Sequence, residues 1–435
     1  MPGGFVMLSV LLHRRLSARG IHYGWAALAA TFLTMLVVAG AVGAPGVFIV
    51  PLQKEFGWSA ADISGALAVR FLLYGAMGPF AAAFMNRFGV RRVMLTSLVI
   101  IVGGLLLSLG MSRLWQLILL WGVVIGLGTG LTAMVLGATV ATRWFTARRG
   151  LVVGMLAASS ATGQLAFLPL LASVTEQFGW RTALLLVCGA LTLAAIIVLL
   201  LMRDRPSDLG LAPYGESDIH PAPAQPASLG QLLLSPLRVL RDAAGAPTFW
   251  ILFFSFYVCG ASTNGLIQTH FIAMCGDMGL AAVGAASMLA MMGIFDFFGT
   301  LGSGWLSDRF DNRWLLFTYY GLRGLSLLYL PFSDFSLYSL SLFAVFYGLD
   351  WIATVPPTVK LTAQRFGPEK ANIVFGWIFA GHQLGAASAA LAGGVARTAW
   401  HSYMPAFIGA GLLCLVGAAM VLLINRGRLP HLAPA

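Results

Sequence analysis

Charged residues are scarce in this sequence of 435 residues: only 9% are Asp, Glu, Lys or Arg, and 59% are hydrophobic. Soluble globular proteins carry about a quarter charged residues, so the composition excludes that class. Acidic residues are the rarer sign, 15 against 26 basic ones. Because the basic residues cluster in short loops between apolar runs, their excess fits the positive-inside rule and not binding to nucleic acid. The composition predicts a polytopic protein of the lipid bilayer.

Cysteine is also rare, and the four cysteines lie in or at the edge of apolar segments without a C-x-x-C pair. This pattern supports neither a metal site nor a redox centre. The sequence G-x-x-x-x-G-K-[ST] is absent, which excludes ATP-driven transport as an activity of these residues. No nucleophile-and-base spacing accompanies the buried polar residues. We therefore expect no enzymatic activity, no cofactor and no metal.

What the sequence does have is long hydrophobic runs. Twelve of them, each about as long as a membrane is thick, begin near residues 24, 62, 93, 115, 150, 180, 247, 280, 314, 337, 371 and 402. The loops on one side of this alternation hold 20 of the 26 basic residues. The positive-inside rule then places both termini in the cytoplasm, in a multi-pass protein of the inner (plasma) membrane.

A sequence repeat divides the chain into two halves. Arg87 lies in AFMNRFGVRRV and Arg309 in GWLSDRFDNRW, two turns of similar sequence. Gly154 and Gly376 are separated by the same distance along the chain as these two arginines. Equal spacing at separate places indicates two halves that repeat one fold. The expected fold is all-α, with twelve transmembrane helices in two pseudo-symmetric six-helix halves.

The boundaries between these units follow from the apolar runs. We expect a cytoplasmic tail (1–23), a first six-helix half (24–202), a cytoplasmic linker (203–246), a second half (247–425) and a short tail (426–435). The linker is rich in proline and polar residues, a composition that cannot bury a core. Its part LLLSPLRVLRD, residues 232–242, is typical of a basic amphipathic helix on the membrane surface.

The turn around Arg309 resembles the G-x-L-x-D-R-x-G-R-R signature of the major facilitator superfamily. Gly24-Trp25, RWFTARRGLVVGMLAASSATG (143–163) and DRPSDLGLAPYG (204–215) resemble its monocarboxylate transporter and oxalate:formate exchanger group. The resemblance implies the superfamily fold and transport by alternating access.

Three positions of this chain depart from those groups. Gly46 stands where monocarboxylate transporters carry a lysine after a proline. Thr300 stands where their eighth helix carries an arginine, four residues after the aspartate that is here Asp296. His382 is the nearest basic group to the exchangers' lysine in the eleventh helix. The substrate chemistry of the relatives therefore does not carry across residue by residue.

Five ionisable residues lie at membrane depth: Arg70, Asp296, Arg323, Asp350 and His382. A charge there costs at least ~2.5 kcal/mol, which makes each a candidate functional residue. Asp296, Asp350 and His382 are the candidates for proton coupling. We expect Arg323 to form a structural ion pair with Asp296 or Asp350. For Arg70 two interpretations stay open, a snorkelling side chain or a bidentate clamp for a carboxylate.

The candidate substrate-binding residues share polar or aromatic character inside apolar segments. They are Arg70, Tyr74, Tyr347, Trp351, His382 and Gln383. On the tenth segment Tyr347, Asp350 and Trp351 share one helical face, which lines either a cavity or a buried arginine. Alternatively, His382 is a buried core histidine whose ring nitrogens have hydrogen-bond partners within the protein.

The two similar turns are expected to form a cytoplasmic gate. Its candidate residues are Asp308, Arg309, Arg313, Asn86, Arg87 and Arg91. By resemblance, the carboxylate of Asp308 lies against the start of the fifth helix when the inner gate is closed. Its counterpart Asn86 is neutral, so we expect Asp308 to hold the gate more strongly.

The leading hypothesis is a secondary transporter that moves a small organic anion, a carboxylate, by alternating access with proton coupling, functional as a monomer. Proton-coupled efflux of drugs or metabolites is the alternative, although the fifth segment lacks the G-P-x-x-G-G pattern of drug/proton antiporters. A membrane sensor without transport is a third hypothesis, which would need an appended signalling domain or a long tail. The substrate, the direction, and symport against exchange stay open.

Overall fold

A computed structural model describes residues 3–132, 134–219, 229–307 and 309–424. In this part of the chain helix follows helix without a strand, apart from one isolated bridge between Phe145 and Tyr214. Ten helices among these residues are long and apolar enough to cross a membrane. Helices dominate because a bilayer has no water in its core to satisfy free backbone groups. The protein is a multi-pass, all-α membrane protein.

The first half contributes six helical segments. They are Gly24–Gly43 with Pro45–Phe56 (segment 1), Ala60–Phe88 (segment 2), Val90–Ser108 (segment 3), Leu114–Leu117, Ile118–Val124, Ile125–Leu131 and Met134–Trp144 in succession (segment 4), Arg149–Phe178 (segment 5) and Trp180–Leu201 (segment 6). A preceding helix, Gly3–Ser17, packs against segment 6.

The second half repeats this order. It comprises Pro247–Gly260, Ala261–Gln268 and Thr269–Asp277 in succession (segment 7), Ala282–Ser307 (segment 8), Asn312–Tyr329 followed by Leu330–Phe332 (segment 9), Leu337–Asp350 with Val355–Phe366 (segment 10), Pro368–Trp400 (segment 11) and Met404–Val421 (segment 12). The twelve expected segments are all helical.

Several segments are interrupted near their middle. Segments 4 and 7 contain π-helical stretches, Ile118–Val124 and Ala261–Gln268. Segment 10 leaves the helix at residues 351–354, just before Pro356 and Pro357. Proline supplies no N–H, so carbonyl groups one turn earlier need other donors. The interruptions therefore create places where polar side chains are required inside the membrane.

The two halves meet along segments 2 and 11, and along segments 5 and 8. Segments 2 and 11 are in contact from one end to the other. Near one end the Ala61 N–H donates to Thr398 Oγ1 at 3.2 Å. Near the other end the rings of Phe80 and Trp377 lie 6.4 Å apart. We call the end of the bundle that holds residues 203–219 and the helix Leu229–Ala244 the linker side, and the opposite end the far side.

On the far side the halves are closed against each other. Pro45–Phe56 of segment 1 packs against Thr269–Asp277 of segment 7. Gly46 comes so close to segment 7 that a Cβ at this position would lie 2.5 Å from the carbonyl oxygen of Gln268. Any larger side chain at residue 46 would force the two segments apart.

Residues 203–216 differ from the prediction for the linker, because they lie folded on the first half. The Tyr214 N–H donates to the carbonyl of Trp144 at 2.8 Å, and the His22 ring Nε2 bonds the carbonyl of Ala212 at 3.0 Å. Leu211 packs against the core of that half. The composition of this segment did not predict that it would fold. It does so because its backbone groups and its few apolar side chains find partners on the surface of the first half.

The predicted amphipathic helix is present and slightly longer, Leu229–Ala244. It touches segments 2 and 11, and the Trp377 indole donates to the carbonyl of Pro236 at 2.9 Å. Arg238 and Arg241 are exposed. Its position on the membrane surface stays a prediction.

Candidate substrate and proton sites

Segment 10 is interrupted where two buried charges meet. The Nε of Arg323 donates to Oδ2 of Asp350 at 2.7 Å, and both residues are buried. The Arg323 guanidinium also donates to the backbone carbonyls of Asp350 and Trp351, the latter at 3.1 Å. Arg323 therefore pairs with Asp350, the second of the two partners that the sequence allowed, and it also supplies donors to the broken turn.

Asp296 contacts the same turn from segment 8. Its Oδ1 accepts from the Ile352 N–H at 2.9 Å and from the Thr300 hydroxyl at 2.9 Å. One turn on from Thr300, the Ser303 hydroxyl donates to the carbonyl of Ala353 at 2.5 Å. Within the described residues Asp296 has no ion-pair partner, although it is only 4% exposed. It is a buried carboxyl group held by neutral donors.

Arg70 lies in segment 2 and is only 3% exposed. Its guanidinium carbon lies 4.9 Å from the ring centre of Phe71, but among the described residues it has no hydrogen-bond or ion-pair partner. The hydroxyl of Tyr74, one turn further on, has no hydrogen-bond partner in that part of the chain either. The snorkelling interpretation fails because the side chain does not reach the surface.

A small cavity of about 10 Å³ adjoins Arg70. It lies between segments 1, 2, 3, 4 and 6, and its other lining residues are apolar, including Phe48 and Trp121. This volume holds about one water molecule. A carboxylate can therefore reach the guanidinium only when the segments separate.

His382 and Gln383 are neighbours in segment 11. The Gln383 amide Nε2 lies 3.2 Å from Nδ1 of His382, whose ring stacks on Phe379 at 5.6 Å between ring centres. The Gln383 Oε1 is buried without a hydrogen-bond partner in the described structure. The histidine is therefore only partly satisfied, and an acceptor beside it is free.

Tyr347 and Trp351 are packed into the second half. Tyr347 is fully buried, and its hydroxyl donates to the carbonyl of Ser262 at 2.8 Å. Trp351 is 5% exposed and lies beside the Tyr347 ring at 5.8 Å. The shared face of segment 10 is thus directed at a packed core and at Arg323.

The gate residues of the second turn have partners in their own half. Asp308 lies outside the described residues. The guanidinium of Arg309 lies 4.1 Å from the Trp305 ring centre, and Arg313 pairs with Asp311 at 2.7 Å. The latch between Asp308 and the fifth helix stays a prediction.

The gate residues of the first turn behave in the same way. The side chain of Asn86 is outside the described part of the structure. Arg87 lies over Phe88 at 5.8 Å, and the backbone N–H of Arg91 donates to Asp204 at 2.8 Å. These contacts tie the turn to its own half and to the start of the linker.

The model of the Major Facilitator Superfamily matches residues 31–387 and again residues 277–434 of this chain. The chain belongs to the major facilitator superfamily. Curated relatives include monocarboxylate transporter 13 of Rattus norvegicus, 27% identical over 411 residues that cover 94% of this chain and 89% of the relative. Monocarboxylate transporter 11 of Mus musculus is 30% identical over 298 residues, 66% of this chain and 60% of the relative.

A bacterial relative, the uncharacterized MFS-type transporter YcxA of Bacillus subtilis, is 24% identical over 390 residues, 86% of this chain and 88% of the relative. Together these relatives confirm the resemblance to the monocarboxylate transporter group, and the chain is a membrane transporter of this superfamily.

Two departures of this superfamily member from the monocarboxylate transporters have a structural reason. At residue 46, the contact of Gly46 with Gln268 leaves no room for a lysine. At residue 300, Thr300 supplies Asp296 with a neutral donor in place of the arginine that the resemblance implies. Among the described residues at membrane depth, the unpaired cation of this transporter is instead Arg70, in segment 2.

One buried ionisable residue was missed by the sequence analysis. His270 in segment 7 is fully buried, and its Nε2 bonds the carbonyl of Ala390 at 2.7 Å. Its Nδ1 is buried without a partner among the described residues. The signal was available, because His270 stands in the apolar run THFIAMC.

Proposed function

We propose that this transporter moves a small organic monocarboxylate whose carboxylate is bound by Arg70 and Tyr74. The observation that carries the proposal is a buried guanidinium without a partner in the described structure, one helical turn from a phenol that also lacks one. A guanidinium binds a carboxylate through two parallel hydrogen bonds, and the phenol hydroxyl can donate a third. The names of the relatives, monocarboxylate transporters, support the same class of substrate.

We further propose that a proton accompanies the anion and binds to Asp296. The charges of Arg323 and Asp350 cancel within their ion pair, which leaves Arg70 and Asp296 as single opposite charges among the described residues at membrane depth. A carboxylate on Arg70 cancels the positive charge. Asp296 is then an uncompensated anion in an apolar interior, and protonation removes that charge.

This assignment separates Asp296 from the other two proton candidates. Asp350 is held by a charged partner, so releasing it would leave Arg323 unpaired. His382 carries no charge in this scheme and lies beside Gln383. The loaded transporter is electroneutral with one anion and one proton, which corresponds to symport.

We assign the linker side to the cytoplasm, because it holds most of the basic loop residues. The closed contact of Gly46 with segment 7 is then the outer gate. The twelve segments of one chain supply every residue of the proposed sites, so we propose a monomer in the inner (plasma) membrane.

Uptake of labelled carboxylates into proteoliposomes, with and without an inward proton gradient, tests the function. We expect saturable uptake that the gradient drives, and an affinity lowered about tenfold or more by Arg70→Lys, since a charge-assisted hydrogen bond contributes ~1.5–3 kcal/mol. The exposed Arg113, changed to Lys, is the matched control. Uptake that Arg70→Lys leaves unaltered would contradict the proposal.

A further inference from the structure

Arg70 and Tyr74, which lack hydrogen-bond partners in the described part of the chain, stand at the start of a strip of aromatic rings that crosses between the halves. The Tyr74 ring lies 5.8 Å from that of Phe379, at an interplanar angle of 73°. Phe379 stacks on His382 at 5.6 Å and 13°, and His382 lies 4.9 Å from Phe256. The strip thus runs from segment 2 through segment 11 to segment 7.

The strip is not explained by core packing alone, because polar groups along it lack partners in the described structure. Tyr74 is half-buried with a free hydroxyl, and His382 bonds only the amide of Gln383 among the described residues. The Gln383 Oε1 is buried and accepts no hydrogen bond from them. A buried acceptor without a donor is costly, so a ligand that brings a donor is favoured.

The free acceptor and the proposed anion site lie close together. Gly75 follows Tyr74 directly, and a Cβ at residue 75 would lie 2.6 Å from the Cβ of Gln383. Segment 2 thus places Tyr74 next to the point where Gln383 crosses it, and Arg70 about one and a half turns from that point. The row of ring faces and the acceptor lie at one contact between the halves, and the cation lies further along segment 2, beside the cavity of the first half.

We propose that the substrate is an aromatic monocarboxylate that carries a hydroxyl or N–H group on its ring. This inference rests on the proposed function, since Arg70 must bind the carboxylate. The flat ring of the substrate packs against Tyr74, Phe379 and His382, and the ring substituent donates to Gln383 Oε1. Flat rings gain more from such a strip than saturated rings of equal size, because edge and face contacts between aromatic rings are favourable.

Calorimetric binding to the purified full-length protein tests the proposal with five probes: acetate, lactate, cyclohexanecarboxylate, benzoate and 4-hydroxybenzoate. We expect benzoate to bind about three- to tenfold more tightly than cyclohexanecarboxylate. We expect 4-hydroxybenzoate to gain a similar factor over benzoate through Gln383. This comparison uses the unmodified protein and does not depend on the folding of any variant.

Three variants locate the preference. Phe379→Leu should reduce the ratio between the affinities for benzoate and cyclohexanecarboxylate, and Gln383→Leu should bring the ratio between the affinities for 4-hydroxybenzoate and benzoate to about one. Phe407→Leu, a change to a fully buried ring in segment 12, is the matched control and should alter neither ratio.

The possible outcomes distinguish a failure of the aromatic preference from a failure of the carboxylate site at Arg70. If all five acids bind equally and Arg70→Met abolishes their binding, the aromatic preference is wrong and the carboxylate site stands. If no carboxylate binds, or if Arg70→Met leaves binding intact, the proposed function itself is wrong. Binding of benzoate and 4-hydroxybenzoate with equal affinity would overturn the role of Gln383.

Discussion

The two halves place opposite chemistry at equivalent positions of one fold. At the repeat spacing that relates Arg87 to Arg309, Tyr74 of segment 2 corresponds to Asp296 of segment 8, and Arg70 corresponds to Met292. The first half therefore presents a cation and a phenol where the second half presents a methionine and a carboxyl group. The proposed anion site and the proposed proton site thus share one repeat-related position, Tyr74 in the first half and Asp296 in the second.

The same spacing relates the supports of the two interrupted helices. Arg323 corresponds to Ile101 and Asp350 to Gly128. In the first half the Ser97 hydroxyl donates to the carbonyl of Gly128 at 2.7 Å, so an uncharged donor satisfies the backbone. In the second half a guanidinium has this role. Arg323 is thus a paired charge that supports a broken turn, whereas Arg70 has no hydrogen-bond or ion-pair partner among the described residues.

The largest expected effect is on stability, from removal of one member of the paired charges. Asp350→Leu leaves Arg323 as an uncompensated buried cation, and breaking such a pair costs ~3–5 kcal/mol. Arg70→Met removes a cation that has no partner among the described residues and should leave thermal unfolding in detergent unaltered or shifted upward. Equal losses of thermal stability in both variants would show that Arg70 is structural as well.

The next effect concerns the far side, where the halves touch. Gly46→Val inserts a side chain against the Gln268 carbonyl, and overpacking of this kind costs ~1–3 kcal/mol. We expect faster thiol labelling of the buried Cys275, with the other three cysteines replaced by serine. Gly65→Val is the control, since a Cβ there meets nothing within 4 Å. Equal labelling in both variants would show that residue 46 does not limit closure.

The smallest effect is expected where the halves resemble each other. Glu55 and Asp277 are equivalent positions of the repeat, and each forms a far-side ion pair, with Arg181 at 2.6 Å and Arg397 at 2.7 Å. Both pairs are partly exposed, so Glu55→Gln and Asp277→Asn should each cost only ~0–1 kcal/mol in thermal unfolding. A large loss in one variant alone would reveal a further asymmetry between the halves.

Most of the fold could be predicted from the sequence, because apolar runs and the repeat are local or periodic features. The partner of Arg323 could not be chosen, since the choice depends on the turn at residues 351–354 that segment 9 approaches only in the folded protein. Likewise, the folding of residues 203–216 onto the first half depends on a surface built from distant segments. Arg70 was identified as a candidate, but its lack of a partner required the structure.

Proton uptake on substrate binding tests most directly whether the anion and the proton occupy different halves. A pH indicator in weakly buffered detergent solution would follow proton uptake while a carboxylate is added. The pH of the solution is kept well above the pKa of the added acid, so that the acid itself is already ionised. We predict uptake of about one proton per bound anion in the unmodified protein, binding without proton uptake in Asp296→Asn, and neither in Arg70→Met. Proton uptake that persists in Asp296→Asn, or anion binding that persists in Arg70→Met, would contradict the division between the halves.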